Sequence, residues 1–311
     1  MANGNAKRLI LVTGAPRSGT TAVGRMLGLG KGVGTLHEPF NLLVGMREIE
    51  HYFEIPGSGD CTDEKFDACI QQMRDLQLHF KPGVFPRERG VRRLLKYAFG
   101  GRARNSQRLC RLQPGLHTLI WKDPFAALAA DHIAARHDID VVVTLRNPWA
   151  VAASFKRMGW AFDLDDIATR LHACGAALPV SPAAWTLRHT PVANAALLWH
   201  VIYASLLEWS RGNSRFILLS LDQVVGAPIE SYAKVYARLG LVWNDNIAKQ
   251  INRNYTSASR EGQPQGQVAH DQHRDLAAVN TYWKGLLDEH ERALVSEINA
   301  SLWDDLCSAS S

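Results

Sequence analysis

The residues of this chain most suited to chemistry lie between Gly14 and Thr21, directly after an apolar segment that ends at Thr13. Two glycines at this spacing allow successive backbone N–H groups to point inward at an anion, and a helix that starts at about Thr20 would add the positive end of its dipole. The pattern is that of a phosphate-binding loop, except that Thr20-Thr21 stands where nucleotide kinases have Lys-Ser/Thr. Arg17 supplies the cation instead.

The missing Lys changes the ligand that we expect in this loop. Kinases and NTPases use that Lys as a point charge on the β- and γ-phosphates, together with a metal-bound Ser or Thr. A loop without it is therefore expected to hold a less charged group. The same residues also fit an ordinary polar helix start in which Ser18 or Thr20 is the N-cap.

A second candidate phosphate contact follows the apolar segment Val141–Leu145. Arg146 stands at the end of that segment, and Ser154 comes eight residues later. A strand end would place Arg146 at the carboxyl edge of a parallel sheet, where α/β folds bind nucleotides. Pro148 suits the first turn of a helix that carries Ser154. An Arg at a strand end is, taken alone, most often a solvated cap.

Together these two motifs resemble those of sulfotransferases that use 3′-phosphoadenosine 5′-phosphosulfate (PAPS). Loops of that family read Pro-Lys/Arg-Ser-Gly-Thr-Thr/Ser and hold the 5′-phosphosulfate, whereas the strand-end Arg and the later Ser clasp the 3′-phosphate. The resemblance covers most of the chain. It implies that the donor is bound by Gly14, Pro16, Arg17, Ser18, Gly19, Thr20, Thr21, Arg146 and Ser154.

Near the end of the chain, Trp283 and Lys284, with Arg274 upstream, resemble the basic loop that closes over the 3′-phosphate. That loop usually carries Arg-Lys-Gly, whereas this chain has His-Arg-Asp around Arg274. Cytosolic family members place a Trp just after the first loop to stack the adenine, and this chain has Ala22 there. The residue that stacks the adenine is therefore not identified.

Sulfuryl transfer to a hydroxyl is an in-line displacement that needs a proton acceptor and a stabilised leaving group. Arg17 and the loop N–H groups would stabilise the leaving oxygen. Glu38, just after the second predicted strand, is placed to accept the proton, and the resemblance to carbohydrate and tyrosylprotein sulfotransferases implies the same role. We expect burial to raise its pKa into the useful range. Lys122 is expected to assist in charge stabilisation.

Two other residues compete with Glu38 as the base. His37 has the better unperturbed pKa, although a His beside a strand end is often only hydrogen-bonded structure. Asp123 follows a strand as a metal-holding carboxylate would, but it also fits a helix cap before Pro124. The segments around Glu38-Pro39-Phe40 and Lys122-Asp123-Pro124 place the resemblance nearest to bacterial and carbohydrate-type sulfotransferases.

Short apolar segments alternate with segments of helical spacing, which predicts an α/β fold with a central parallel sheet flanked by helices. The predicted strands are Arg8–Thr13, Val33–Leu36, Thr118–Trp121, Asp140–Leu145 and Phe216–Ser220. The predicted helices are Thr20–Leu29, Asp63–Phe80, Phe125–Arg136, Pro148–Met158, Pro191–Trp209, Ile229–Leu239 and Glu289–Leu302. No linker or repeat divides the 311 residues, so we expect one P-loop-like domain over 1–311, with acceptor-binding insertions near 42–116 and 156–191.

Composition sets further expectations. The chain has 46% hydrophobic residues but no apolar run near the roughly 20 residues that span a bilayer, and its start leaves no room for a signal peptide. Its five cysteines lack CxxC spacing, which favours free thiols in a reducing compartment over disulfides or zinc. We therefore expect a cytoplasmic protein without a metal, and the resemblance to bacterial sulfotransferases implies a bacterial origin. The oligomeric state is not predicted.

Positive charge is concentrated between Lys81 and Arg111, where ten Lys and Arg and one Glu give +9, so that the rest of the chain carries −4. A run of charge usually faces water. It also fits a positive rim for an anionic acceptor such as an acidic glycan, or for a membrane surface. Nucleic acid is disfavoured because few aromatics are interleaved and no recognition motif is present.

The sequence thus predicts a PAPS-dependent sulfotransferase that acts on a hydroxyl of a carbohydrate or related small molecule. The alternative is a P-loop kinase or NTPase in which Asp123 or Asp222 holds magnesium. A nucleotide-responsive or nucleic-acid-binding module without enzyme activity is a third hypothesis.

Overall fold

The computed structural model describes residues 7–59, 61–82, 101–256 and 281–310. Five strands form one parallel sheet in the order β2-β3-β1-β4-β5. They are β1 (Arg8–Thr13), β2 (Val33–His37), β3 (Thr118–Lys122), β4 (Asp140–Leu145) and β5 (Phe216–Ser220). The helices in these ranges are α1 (Thr20–Leu27), α2 (Asp63–Arg74), α3 (Arg102–Leu112), α4 (Ala130–His137), α5 (Pro148–Met158), α6 (Leu164–Ala173), α7 (Pro182–Trp185), α8 (Pro191–Ser210), α9 (Leu221–Gly226), α10 (Pro228–Arg238), α11 (Asp245–Thr256), α12 (Trp283–Leu286) and α13 (Glu289–Ala309).

All five predicted strands are confirmed, with end shifts of at most one residue. Every residue of β3 is buried, as is every residue of β1 after Arg8. Strands covered on both faces are expected to read as continuous apolar runs, which is why this pattern was legible in the sequence. Both β1 and β2 pair with β3 in parallel register, Val12 and His37 each lying opposite Lys122.

The predicted helices are also present, but several differ in extent. The helix predicted to end at Leu302 continues to Ala309, and the one predicted to end at Leu29 ends at Leu27. The segment predicted as a helix over 63–80 leaves the helix at Arg74, because Leu76 adopts a positive φ of 55°. Leu76 is nevertheless buried, so its apolar side chain continued the helical pattern beyond the end of the helix. The segment predicted over 125–136 begins as a 3₁₀ turn at Pro124–Ala129 and becomes α4 only afterwards.

The chain divides into two compact units. Unit 1 comprises Met1–Thr13, Thr20–Val142 and Thr169–Ala176, and unit 2 comprises Gly14–Gly19, Val143–Ala168 and Ala177–Ser311. The single domain over 1–311 stays a prediction, as do its insertions. In unit 1, α1 packs closely on β3: a Cβ at Gly24 would lie 3.0 Å from Cβ of Lys122.

In unit 2, the long helix α8 packs against α5 and α13. Its start is marked by Thr190, whose side chain accepts from the N–H of Ala193, and by Pro191 in the first turn. Trp199 and Tyr203 on α8 are fully buried. All five cysteines are free thiols, as expected. Within the described ranges, no helix is both long and apolar enough to cross a membrane.

Candidate active site

The loop that follows β1 has three residues at positive φ: Gly14 at 140°, Arg17 at 75° and Gly19 at 93°. A Cβ at Gly14 would come within 2.6 Å of the carbonyl oxygen of Thr144. Only glycine fits there, because both the backbone angle and the close approach exclude a side chain. The backbone N–H of Ser18 donates to the carbonyl of Ala15 at 3.0 Å, which closes the turn.

Residues of β4 and α8 anchor this loop by hydrogen bonds. The hydroxyl oxygens of Ser18 and Thr144 lie 2.7 Å apart in a hydrogen bond, and both residues are fully buried. The hydroxyl of Tyr203 donates to the carbonyl oxygen of Thr144 at 2.6 Å and accepts from the backbone N–H of Ala15 at 3.3 Å. Burial raises the pKa of Tyr203 to about 12, so it remains a neutral donor.

Three of the predicted donor-binding residues meet at this loop. Nε of Arg17 donates to Oγ of Ser154 at 2.9 Å, and Nη1 of Arg146 donates to the backbone carbonyl oxygen of Arg17 at 2.7 Å. Trp199 completes the arrangement by donating from Nε1 to the carbonyl oxygen of Arg146 at 3.0 Å. We call residues 14–19 with Thr144, Arg146 and Ser154 the loop cluster, all of it in unit 2. Two guanidinium groups in so small a region favour an anionic ligand.

Aromatic rings lie next to both guanidinium groups. The Arg17 guanidinium carbon is 5.9 Å from the centroid of a Trp160 ring, and that of Arg146 is 5.8 Å from the centroid of the Tyr282 ring. Contacts of this kind stabilise a cation while leaving its N–H edge for other partners.

Tyr282 directly precedes two predicted donor-binding residues, Trp283 and Lys284. Trp283 stacks on Trp149 with ring centroids 5.8 Å apart, and Lys284 is exposed with its ammonium 5.8 Å from the Trp283 ring. The structure therefore brings this segment beside Arg146, but the contact is made by Tyr282. Arg274 lies outside the described residues.

Thr20 and Thr21 are the first two residues of α1, in unit 1; Thr20 is buried and Thr21 is exposed. Pro16 is a buried residue of the loop itself, in unit 2.

A second group of predicted residues, the carboxylate cluster, comprises Glu38, Lys122 and Asp123 in unit 1. Lys122 donates from Nζ to Oε1 of Glu38, and Nδ2 of Asn41 donates to Oε2 of Glu38 at 2.8 Å. The pairing of β2 with β3 explains the contact, since His37 and Lys122 are register partners and Glu38 is the next residue. Glu38 itself has a positive φ of 50°.

The expectation that burial raises the pKa of Glu38 into the useful range is wrong. Burial does act in that direction, but the Lys122 charge, the charge of His37 and the hydrogen bonds from Lys122 and Asn41 outweigh it. Together they lower the pKa of Glu38 to about 2. The carboxylate is therefore ionised throughout the physiological range, and it is a weaker base than the sequence suggested.

Asp123 is fully buried and acts as a helix cap, one of its two predicted roles. Its Oδ2 accepts from the backbone N–H of Phe40 at 2.6 Å and from Nε1 of Trp121 at 3.2 Å, and its Oδ1 accepts from the N–H of Phe125 at 3.0 Å. Burial and then the Glu38 charge raise the pKa of Asp123 to about 7, against these donors. Its oxygens are engaged by N–H groups, which disfavours the magnesium-holding role.

His37, the other competing base, is the last residue of β2, and its backbone N–H donates to Oγ of Ser106 at 3.1 Å. Asp222, the second magnesium candidate, is an exposed residue in the first turn of α9.

Several residues that organise these clusters were not singled out from the sequence. Thr144 and Tyr203 anchor the loop, and Asn41 orients Glu38. Thr144 carried a signal, since it is a hydroxyl inside an otherwise apolar strand that leads to Arg146. Tyr203 carried none, because one aromatic among many apolar residues of α8 is typical of a core helix.

Comparison with known proteins gives the family. The model of the Sulfotransferase family matches residues 10–245. Among solved structures, the chain resembles the sulfotransferase domain of the Synechococcus PCC 7002 olefin synthase at 14% identity, over 95% of this chain and 96% of that one, with a TM-score of 0.45. It resembles the sulfotransferase domain from the curacin biosynthetic pathway at 13% identity, over 94% and 97%, with a TM-score of 0.46.

Mouse sulfotransferase SULT7A1, solved in complex with PAP, is 12% identical over 97% of this chain and 88% of that one, with a TM-score of 0.46. Comparison with curated proteins gave no match. Because the family model spans most of the described chain, including both clusters, this protein belongs to the sulfotransferase family.

Proposed function

We propose that the protein transfers the sulfuryl group of PAPS to a hydroxyl of a carbohydrate or related metabolite. The observation that carries the proposal is the joining of Arg17, Arg146 and Ser154 at a loop in which Gly14 and Gly19 adopt positive φ. A donor with a 5′-phosphosulfate and a 3′-phosphate presents two anionic groups. The loop and Arg17 would hold the first, and Arg146 with Ser154 would hold the second.

The donor side of the reaction needs stabilisation of negative charge. As the acceptor oxygen bonds to sulfur, the bond from sulfur to the bridging phosphate oxygen breaks, and adenosine 3′,5′-bisphosphate leaves. Arg17 and the loop N–H groups are proposed to stabilise the charge that develops on that oxygen. Hydrogen bonds to Ser154 and from Arg146 fix the Arg17 side chain and backbone, so little reorganisation is needed during the reaction.

On the acceptor side, Glu38 is proposed to take the proton of the attacking hydroxyl. The products are then a sulfate ester, adenosine 3′,5′-bisphosphate and a protonated Glu38, which returns its proton to water. A carboxylate with a pKa of about 2 suits this role only if the proton moves late, when the new S–O bond has made the hydroxyl oxygen acidic. Lys122 keeps Glu38 ionised and is proposed to assist in charge stabilisation.

The acceptor is proposed to be a small molecule or glycan bound by segments 42–116 and 156–191, with an anionic group favoured by the +9 charge between Lys81 and Arg111. Residues 83–100 of that basic segment lie outside the described residues. A cytoplasmic location and a bacterial origin belong to the same proposal. Free thiols at all five cysteines support a reducing compartment.

Calorimetry tests the donor assignment against the kinase alternative. Adenosine 3′,5′-bisphosphate is expected to bind without metal and more tightly than ATP with magnesium. Arg17→Ala should weaken it, whereas Arg211→Ala, which changes an exposed arginine elsewhere in unit 2, should not. Tighter binding of ATP with magnesium would overturn the proposal.

A further inference from the structure

Unit 1 contains a group of metal-ligand side chains that belongs to neither cluster. Asp67 lies on α2, and His132 and His137 lie on α4. One ligand atom from each of the three residues lies within 4.8 Å of the others. The sequence indicated no metal site, because Asp67 is far from the two histidines in the chain and the spacing of His132 and His137 matches no familiar ligand pattern. Their proximity arises only from the packing of α2 and α4.

The two imidazoles are held in place by packing. The ring of Phe66 lies against both, with centroid distances of 5.1 Å to His132 and 6.2 Å to His137, and the two His centroids are 5.9 Å apart. Nε2 of His137 is 3.1 Å from Oδ1 of Asp67, but not in hydrogen-bond geometry.

Both Nε2 atoms are buried and have no hydrogen-bond partner in the part of the chain that the structure describes. Buried polar atoms are normally satisfied, and a ligand is one way to satisfy them.

Arg136 fixes the carboxylate side of this group. Its Nε and Nη2 donate to the two oxygens of Asp67 at 2.8 and 2.7 Å, and its Nη1 is 3.2 Å from Oδ2 of Asp63. A carboxylate has about four lone-pair sites, so this fork leaves acceptor capacity on Asp67. Asp63 also lies near the group, with Oδ1 3.9 Å from Nδ1 of His132. Arg74 brings a second guanidinium to this group, since its Nη2 donates to the carbonyl oxygen of His137 at 2.8 Å. The ligand atoms, rather than the net charge, therefore favour a metal ion here.

We propose that Asp67, His132 and His137 bind one divalent metal ion of the zinc class. Imidazole nitrogen and carboxylate oxygen are ligands that Zn²⁺ prefers, and three protein ligands with a water complete a tetrahedral shell. Such an ion would join α2 to α4 and stabilise unit 1. This inference does not rest on the proposed function, because the carboxylate and loop clusters contain none of these residues.

The experiment is metal titration of the full chain after removal of bound metal by chelation. Calorimetry with Zn²⁺ is expected to give one ion per chain, and Co²⁺ is expected to show the visible d–d absorption of a low-coordinate site. Loss of a residue that only supports a metal ligand lowers metal affinity about 10–100-fold. The variant His132→Ala/His137→Ala removes two ligands, so its Zn²⁺ affinity should fall by more than that. The control His172→Ala/His189→Ala, which removes two exposed histidines, should bind as the unchanged protein does.

Asp67→Asn keeps the size of the side chain and removes its charge. This variant tests the site even if the double His variant fails to fold. Zn²⁺ should raise the melting temperature of the unchanged protein and of the His172/His189 control, and it should raise that of Asp67→Asn much less. Unchanged stoichiometry and affinity in either ligand variant would overturn the proposal. Absence of 1:1 binding in the unchanged protein would overturn it as well.

Discussion

Lys122 and Glu38 form an ion pair that is almost completely withdrawn from water, with side-chain exposures of 3% and 16%. The ammonium stands at the end of β3 and the carboxylate just beyond the end of β2, so the parallel pairing of these strands sets their separation. Neither charge is well solvated without the other. Glu38 therefore depends on Lys122 for its low pKa, and each side chain holds the other in position.

Replacement of Lys122 by Met should destabilise the protein strongly. The Glu38 carboxylate would stay buried without its cation, and breaking a buried pair in this way costs about 3–5 kcal/mol. Urea unfolding at pH 7 measures the loss. The double variant Lys122→Met/Glu38→Gln removes both charges and should recover most of the stability. Equal instability of the single and double variants would show that packing of the Lys122 chain, not charge, is responsible.

The pair also predicts how stability depends on pH. The pKa of Glu38 is lowered from 4.5 to about 2 in the folded protein. The stabilisation by Glu38 is therefore present at pH values above its pKa in the unfolded chain, and it is lost as the pH falls from about 4.5 through 2. Denaturant unfolding at a series of pH values should show a steeper acid loss for the unchanged protein than for Glu38→Gln. Parallel curves would mean that Glu38 has an ordinary pKa.

Glu38→Gln should lower kcat by about 10²–10⁴, the usual contribution of a positioned general base. Binding of adenosine 3′,5′-bisphosphate should persist, because the amide keeps the shape of the side chain. His37→Asn is the matched comparison and should retain most turnover. The base is misassigned if Glu38→Gln turns over normally and His37→Asn does not.

Asp123→Asn should behave differently from both. It replaces one acceptor oxygen by a donor next to the N–H groups of Phe40 and Phe125. We expect a stability loss of about 1–3 kcal/mol, the cost of an unsatisfied buried group.

Arg146→Ala and Ser154→Ala should weaken adenosine 3′,5′-bisphosphate more than the analogue that lacks the 3′-phosphate. A charge-assisted contact to that phosphate is worth about 1.5–3 kcal/mol. Both residues also bond to Arg17, so some loss is expected for both nucleotides, and the difference between them is the informative quantity. Calorimetry measures this difference, with Ser205→Ala as control because that hydroxyl donates to the carbonyl oxygen of Val201 within α8. Equal losses would show that the 3′-phosphate is read elsewhere.

Turnover should survive EDTA, because Arg17 and the loop are proposed to take the place that a metal and a Lys have in kinases. EDTA should nevertheless lower the melting temperature if Asp67, His132 and His137 hold a stabilising ion. Turnover thus tests the proposed function, and the melting temperature tests the proposed metal site. Complete loss of activity that magnesium restores would favour the kinase alternative.

The parts of the fold that could be predicted were those in which local pattern and burial agree. The central strands β1, β3 and β4 are short, largely apolar runs that are buried almost throughout, and the bounds of all five strands were recovered nearly residue by residue. Amphipathic helices such as α3 and α11 were missed, because their few apolar positions are separated by many polar residues. The end of α2 was misplaced since the backbone turns at Leu76 while its side chain stays in the core.

Candidate site residues that belong to a short-range motif could be predicted from the sequence, and those defined by packing could not. The sequence indicates Gly14 and Gly19 because the turn needs positive φ at both positions. It indicates Arg146 because this residue directly follows an apolar strand. The low pKa of Glu38 depends on Lys122, which is 84 positions away in the chain. The residues next to Glu38 in the sequence therefore could not predict its low pKa.

The hydroxyl of Tyr203 joins Ala15, in the loop after β1, to Thr144 near the end of β4. If this loop binds PAPS as proposed, the hydrogen bonds of Tyr203 limit its conformational freedom beforehand, so binding should carry little further entropic penalty. Donor association should then follow a single exponential phase whose rate rises linearly with concentration. Tyr203→Phe would keep the ring in the core but release the loop, and a slower, saturating phase should emerge.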